Sequence, residues 1–278
     1  MNSFLILANT DKDVNLELSH KIADYLSQHH AVSVIVSDNS IHYDGNYIKE
    51  EYLRGAEAAI VLGGDGTMLR AVHSLGEHGI PLLGINLGTL GFLTEVEESN
   101  VLRALDRLLQ DDFMVEQRMM VEGRVKNHVY HALNDVVITR AGFSRIIGLN
   151  IYVNDQLLDT YEADGVIVAT PTGSTGYNLS AGGPIVSPKS KVIVVTPISP
   201  HSLTAKSVVF DSSDRIRIEI VKKRKTQDTE AIVSFDGGNS MELAAGDDVT
   251  AVLSGRNVSL IKMYDVNFYS VLRDKIGG

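Results

Sequence analysis

An apolar run, Ala58–Leu62, stops abruptly at Gly63-Gly64-Asp65-Gly66-Thr67, and residues 67–77 then carry helical spacing. Glycines at such a junction permit positive φ and let backbone N–H groups approach a ligand with no Cβ in the way. A strand that turns directly into a helix is the repeating piece of a parallel sheet covered by helices. The rest of the first third agrees. Phe4–Ala8 and Val32–Val36 read as strands, and Val14, Leu18, Ile22 and Tyr25/Leu26 recur at helical spacing between them. Pro81–Ile85 reads as a further strand, and Ser99 is placed to cap a helix bearing Val101, Leu102, Leu105, Leu108 and Leu109.

The pattern changes near Asp112. From there to about Met263 the chain is rich in short β-like runs: Val136–Thr139, Ile151–Val153, Val166–Ala169, Lys191–Val195, Arg215–Val221 and Val249–Leu253. Val153-Asn154-Asp155 and Phe235-Asp236-Gly237-Gly238 read as turns. Asn267–Ile276 regains helical spacing and is expected to pack back onto the first domain. The expected division is therefore 1–112 (α/β), 113–263 (all-β) and 264–278 (the terminal helix).

Thirteen of the 24 glycines fall in two windows, residues 63–91 and 165–183, which marks two loops for chemistry. The first combines free backbone N–H groups with the positive end of a helix, an arrangement suited to phosphate. It lacks the Gly-Lys-Ser/Thr of a Walker loop and the spacing of a dinucleotide fingerprint. Asp65 is the unusual member, because a carboxylate among phosphate-binding amides needs a task of its own. It can take a proton from an attacking hydroxyl or help to hold magnesium, or it can simply serve as a turn or helix-cap residue.

The second window runs from Asp164 to Pro184. A buried-type strand leads there into Thr170, Thr172, Ser174, Thr175, Tyr177, Asn178 and Ser180, set among glycines. Neutral hydroxyls and amides at this density suit a polyhydroxylated ligand. Asn134-Asp135, just ahead of a strand, is a third piece that can bind paired ribose hydroxyls or serve as a strand-end turn.

The balance of 25 basic against 35 acidic residues, net −10, argues against nucleic acid and anionic membranes as partners. Lys222-Lys223-Arg224-Lys225 is read as a solvated hairpin end. No run approaches the roughly 18 apolar residues of a membrane span, and the first residues read as a buried strand, so a soluble cytoplasmic protein is expected. Cysteine is absent, which removes disulfides, thiolate metal sites and a cysteine nucleophile. The nine histidines form no metal-type pair with a partnering acid, so no protein-held metal is expected.

Gly63–Thr67, Leu87-Gly88-Thr89-Leu90-Gly91-Phe92-Leu93, Asn134-Asp135 and Asp164–Pro184, in that order, resemble the NAD kinase family. Gly63–Thr67 alone also resembles the phosphate loop of lipid kinases and 6-phosphofructokinases. The resemblance implies a Rossmann-like, phosphofructokinase-like α/β domain, a central β-sandwich-like domain and a C-terminal helix returning to the first. The implied activity is transfer of the ATP γ-phosphoryl group to the adenosine ribose 2′-hydroxyl of NAD, giving NADP. Mg2+ or another divalent cation would accompany ATP, and the assembly would be a homodimer or homotetramer.

Carried over residue by residue, Asp65 is the catalytic base, and Gly64, Gly66 and Thr67 form the phosphate loop, with Arg70 a phosphate contact. Phe92 meets the adenine end of NAD, Asn134 and Asp135 hold ribose hydroxyls, and Asp164 faces the nicotinamide side. Thr172, Thr175, Gly176, Tyr177, Asn178, Leu179 and Ser180 belong to the NAD pocket. Gly176, Glu162 and Gly238 depart from the family's pattern, where alanine, a basic residue and glutamine are commoner. The carboxylate of Glu162 puts diphosphate binding in doubt there and shifts it to Arg145, and Gly238 puts a turn contact in doubt. The rival readings are a lipid kinase with the same phosphate loop and a non-catalytic NAD(P)(H) sensor.

Overall fold

The computed structural model describes residues 1–37, 48–75, 78–89, 91–142, 146–202, 204–221, 231–263 and 268–276. Arg145 and the basic run 222–225 lie outside them. The chain divides into two compact units, Met1–Gln117 with Val258–Gly278, and Arg118–Asn257.

The elements of the first unit begin with β1 (Ser3–Ala8), α1 (Glu17–Gln28), β2 (Val32–Ser37), α2 (Glu50–Gly55), β3 (Ala58–Gly63), α3 (Asp65–Leu75), β4 (Leu82–Asn86), β5 (Val96–Glu97) and α4 (Val101–Leu109). The chain leaves this unit along β6 (Met114–Val125). There follow β7 (His128–Ala132), β8 (Asp135–Arg140), β9 (Ile147–Val153), β10 (Gln156–Ala163), β11 (Gly165–Ala169) and α5 (Tyr177–Ser180). Next come β12 (Val192–Ile198), β13 (Val208–Asp211), β14 (Ile216–Val221), β15 (Ala231–Phe235) and β16 (Ser240–Leu243). The fifteen-residue β17 (Asp248–Lys262) returns the chain to the first unit, which ends in α6 (Phe268–Ile276).

In the first unit β2, β1, β3 and β4 lie side by side, all parallel, with β17 against the start of β4 and β5 against its end. Continuous apolar runs such as Ala58–Leu62 are what a sheet buried on both faces requires. Ile22 and Leu26 of α1 and Val101, Ala104, Leu105 and Leu108 of α4 cover one face, packing on Phe4, Ile6, Ile60, Leu62 and Leu83. Each such side chain contributes about 1.5–3 kcal/mol by leaving water. The helix α3 lies on the other face, where Met68 presses on Gly84 between Leu83 and Ile85.

The strand β1 pairs on one side with β2, which follows it in the chain, and on the other with β3. The loops after β1 and β3 therefore lead to helices on opposite faces, and a crevice opens between them at the carboxyl ends of the strands. In open α/β sheets this switch point is where ligands bind. Glu95, fully buried, accepts bonds from the Met263 amide (3.0 Å) and Lys262 Nζ (2.6 Å) and so pins the end of β17.

The second unit is a sandwich of antiparallel sheets, β10-β9-β14-β17 and β13-β12-β11-β8-β15-β16. Ile216, Ile218 and Ile220 of β14 alternate with half-exposed residues, as a strand with one buried face must. They meet Val136, Ile138, Val166, Val168, Val233 and Phe235 from the second sheet in one core. The outer face of that second sheet is covered in turn: Val137, Ile167, Ala169 and Val194 pack against Ala181 and Val186. The residues after β11 are thus laid on the sheet.

Two local expectations are corrected. Ser99 does not cap α4; it lies inside a 3-10 turn, Glu98–Asn100, that leads directly into the helix, and Asn100 at the cap position makes no side-chain cap bond. The helix expected over 67–77 starts earlier, at Asp65, because Gly64 O already accepts the Thr67 and Met68 amides.

Candidate active site

In the first unit the glycine-rich junction is built by close packing. A Cβ on Gly63 would lie 2.3 Å from Thr67 Oγ1, so only glycine lets the helix close onto the strand end. Asn9, buried at the end of β1, donates from Nδ2 to Thr67 Oγ1 (3.2 Å), and its Oδ1 accepts the amides of Asp11 and Lys12 (3.1 and 3.2 Å). Thr67 is thereby tied across the crevice to the loop after β1. Arg70, half-buried one turn along α3, reaches back to Thr67 Oγ1 at 3.5 Å. The first amides of α3, on Asp65 and Gly66, have no intrahelical acceptor and sit at the positive end of the helix.

The Asp65 carboxylate is held from a second segment. Its Oδ2 accepts the Phe92 amide (2.8 Å) and its Oδ1 the Leu93 amide (3.0 Å). Gly91 makes room for this: a Cβ there would fall 1.8 Å from Asp65 Oδ1. Thr94 Oγ1 accepts the Gly91 amide (3.1 Å) and fixes the turn. Gly63–Thr67 and Gly91–Leu93 thus form one structure, with a partly exposed carboxylate oriented at its centre. The Phe92 ring lies beside Phe268 of α6 (centroids 5.8 Å apart) and under Lys275 Nζ (5.3 Å).

In the second unit Asn134-Asp135 and the loop after β11 come together. Asn134 O accepts the Thr170 amide (2.8 Å), and a Cβ on Gly173 would strike that same oxygen at 2.1 Å. Thr170 Oγ1 donates to Leu133 O (2.6 Å) and accepts the Gly173 amide (3.1 Å). The residues after β11 fold into a 3-10 turn, Gly173–Thr175, followed by α5. Thr175, Gly176, Leu179, Tyr177 and Ser180 remain half-exposed or exposed on it.

Two members of the expected NAD pocket face inward instead. Asn178 is fully buried: its Nδ2 donates to Ser174 O and Pro184 O (3.1 and 3.0 Å), and its Oδ1 accepts Thr196 Oγ1 (2.7 Å). Its side chain pins the loop to β12 and presents no atom to a ligand. Thr172, also buried, accepts Arg118 Nη1 at 3.3 Å and the Thr175 hydroxyl on its carbonyl (3.3 Å).

One further residue organises this region and was not singled out as a site residue from the sequence. Asp236, in the turn between β15 and β16, accepts the amides of Leu133 (2.7 Å), Asn134 (2.7 Å) and Asp135 (3.1 Å). The signal for it was its Asp-Gly step, which reads only as a turn, and Asp236 and Gly237 do adopt the left-handed φ of 50° and 69°. At the opposite end of the β8–β11 pair, away from Asn134, Arg140 pairs through Nε with Asp164 Oδ1 at 2.8 Å. Asp135 is 5% exposed, and burial, followed by the nearby charge of Asp236, pushes its carboxyl up to about 7.

Among the described residues no three histidine, aspartate or glutamate side chains gather to hold a metal ion, and no helix is long and apolar enough to cross a membrane.

Residues 4–113 match the family model of the ATP-NAD kinase N-terminal domain and residues 133–263 that of the ATP-NAD kinase C-terminal domain. A protein of Lachnoclostridium phytofermentans called NAD kinase is 44% identical over 285 residues, covering 100% of this chain and 99% of its own. Another so named, from Agathobacter rectalis, is 42% identical over 280 residues, covering 100% and 99%. Two crystal structures share the fold at 24% identity: yeast NADH kinase complexed with NADH (TM-score 0.86, covering 99% of this chain and 88% of that one) and an Archaeoglobus fulgidus NAD kinase in complex with ATP (0.79, 98% and 99%). With both family models matched in order and relatives aligned end to end, the chain belongs to the NAD kinase family.

Proposed function

We propose that this chain is an ATP-dependent NAD kinase: it transfers the γ-phosphoryl group of ATP to the adenosine ribose 2′-hydroxyl of NAD and releases NADP and ADP. The observation that carries the reading is Asp65. It is a carboxylate at the start of α3, clamped by the amides of Phe92 and Leu93 beside a glycine-rich strand end, in a chain of this family. As the new bond forms between the 2′-oxygen and the γ-phosphorus, the bond from that phosphorus to the β–γ bridging oxygen breaks. The hydroxyl proton passes to Asp65. The two amides keep the acceptor carboxylate oriented, and alignment is the larger part of what a phosphoryl-transfer enzyme provides.

Gly64, Gly66 and Thr67 shape the cradle in which the free amides of Asp65 and Gly66 meet the donor phosphates, with Arg70 behind them. Magnesium enters with ATP as part of the substrate and offsets phosphate charge there. Phe92, Asn134, Asp135, Asp164, Thr175, Gly176, Tyr177, Leu179 and Ser180 serve NAD. Asn178 and Thr172 act through the shape they give the loop. The Asn178 and Asp236 clamps support this division: Asn178 orders the loop backbone at Ser174 and Pro184 and Asp236 orders that of residues 133–135, neither exposing its own side chain.

The enzyme works in the cytoplasm as a homodimer or homotetramer. Leu157 and Leu158 on the edge strand β10, and Val209 on β13, are exposed apolar side chains that an assembly of copies would cover. The lipid-kinase and sensor readings find no support among the matched families and relatives. Incubation with ATP, Mg2+ and NAD, with NADP read by an NADP-specific dehydrogenase, tests the activity. Failure to form NADP would refute it.

A further inference from the structure

We propose that Lys12 is the cation that grips the terminal phosphates of the donor nucleotide, a role that rests on the kinase reading above. The Gly63–Thr67 loop contains no lysine, and the chain is acidic overall, so a polyanion there meets the loop's amides with Arg70 behind them and no cation from the loop itself. The loop after β1 supplies what the loop after β3 lacks. Lys12 Nζ lies 3.4 Å from the position a Cβ on Gly64 would occupy and 3.5 Å from the corresponding position on Gly88. Its ammonium therefore hangs over the bare backbone of both glycine-rich segments, at the switch point of the sheet.

The placement is built. The Lys12 amide donates to Asn9 O (3.1 Å) and to Asn9 Oδ1 (3.2 Å), while Asn9 Nδ2 holds Thr67 Oγ1. On the far side, the buried Asp13 carboxylate accepts the amides of Leu18 (2.9 Å) and Ser19 (3.0 Å) and ties the loop to the start of α1. The backbone on either side of Lys12 is thus fixed, whereas its side chain is exposed and, among the described residues, enters no ion pair. Asn86, buried just before Gly88, donates to Gly88 O and leaves its own Oδ1 without a partner among the described residues, a further polar atom at this crevice. A flexible primary amine above two stretches of Cβ-free backbone matches phosphate oxygens approached from below by N–H groups.

The test compares Lys12→Met and Lys12→Arg with the parent, varying ATP at saturating NAD and NAD at saturating ATP, with Mg2+ in excess. Loss of a charge-assisted contact predicts a fall of about 10- to 100-fold in kcat/KM for ATP in Lys12→Met. The KM for NAD should stay within about twofold, and Lys12→Arg should recover most of the loss. Direct titration of Mg-ATP into the Asp65→Asn protein, with and without Lys12→Met, reads the same contact with turnover removed. That readout separates the proposal from the reaction: a parent that makes no NADP sinks the kinase reading, while Lys12-dependent ATP binding would still uphold the contact. Should Lys12→Met misfold by circular dichroism, Lys12→Gln takes its place. A kcat/KM for ATP within threefold of the parent, or equal losses toward ATP and NAD, would overturn the assignment.

Discussion

Replacing Gly91 with alanine should silence the enzyme without replacing any residue that reacts. The added methyl would sit 1.8 Å from Asp65 Oδ1, where ordinary contact begins at 3.4 Å, so carboxylate and loop must part by about 1.6 Å. That displacement breaks the bonds from Phe92 N and Leu93 N (2.8 and 3.0 Å) that orient the carboxylate. Misplacing a reacting group by about 1 Å can lower turnover about 100-fold, so kcat should fall by at least that much. The fold should survive, because overpacking of this kind costs about 1–3 kcal/mol, or a few degrees in Tm. The assay is steady-state NADP formation with KM measured for both substrates, beside a thermal melt. Gly55→Ala, which meets nothing within 4 Å, is the control and should leave turnover and melting alone. A Gly91→Ala protein with near-parental kcat would refute the idea that the clamp on Asp65 matters to the chemistry.

Other outcomes follow from the same contacts. Asp65→Asn should keep its fold and lose about 100- to 10,000-fold in kcat, as removal of a general base does; a loss under tenfold takes Asp65 out of proton transfer. Asp236→Ala leaves three amides of residues 133–135 without their acceptor, at about 1–3 kcal/mol for each that stays buried and unpaired. A urea midpoint unchanged from the parent would contradict that. Asp135 is raised in the folded chain from 3.8 to about 7, so the native state binds the proton more tightly than the unfolded one. Its protonated form is favoured on folding, and stability should fall as pH rises from about 4 to about 7, by up to about 4 kcal/mol. Asp135→Asn should flatten this slope in urea melts taken across that window, and a slope unaltered by the substitution would assign the effect elsewhere.

Much of the fold is legible in the amino-acid order because its signals are local. The Ala58–Leu62 run, the glycines after it and the helical spacing beyond describe β3, its turn and α3 within a few residues. Asn154-Asp155 and Asp236-Gly237 sit at hairpins for the same reason: few residues tolerate a positive φ, and those that do stand out. The two glycine-rich windows, 63–91 and 165–183, can also be picked out by composition. What each packs against cannot be, because it depends on which strands lie side by side.

Only the tertiary structure sets the Gly91 backbone against Asp65, 26 residues earlier in the chain, and lets Asp236 collect amides 101–103 residues upstream. It also turns Asn178 inward, although its neighbours Tyr177 and Ser180 face out and composition treats all three alike. Periodicity and turn chemistry act over a handful of residues, so a single sequence carries them. A hydrogen bond across the fold depends on sheet order and register, and these are settled only when the whole core packs.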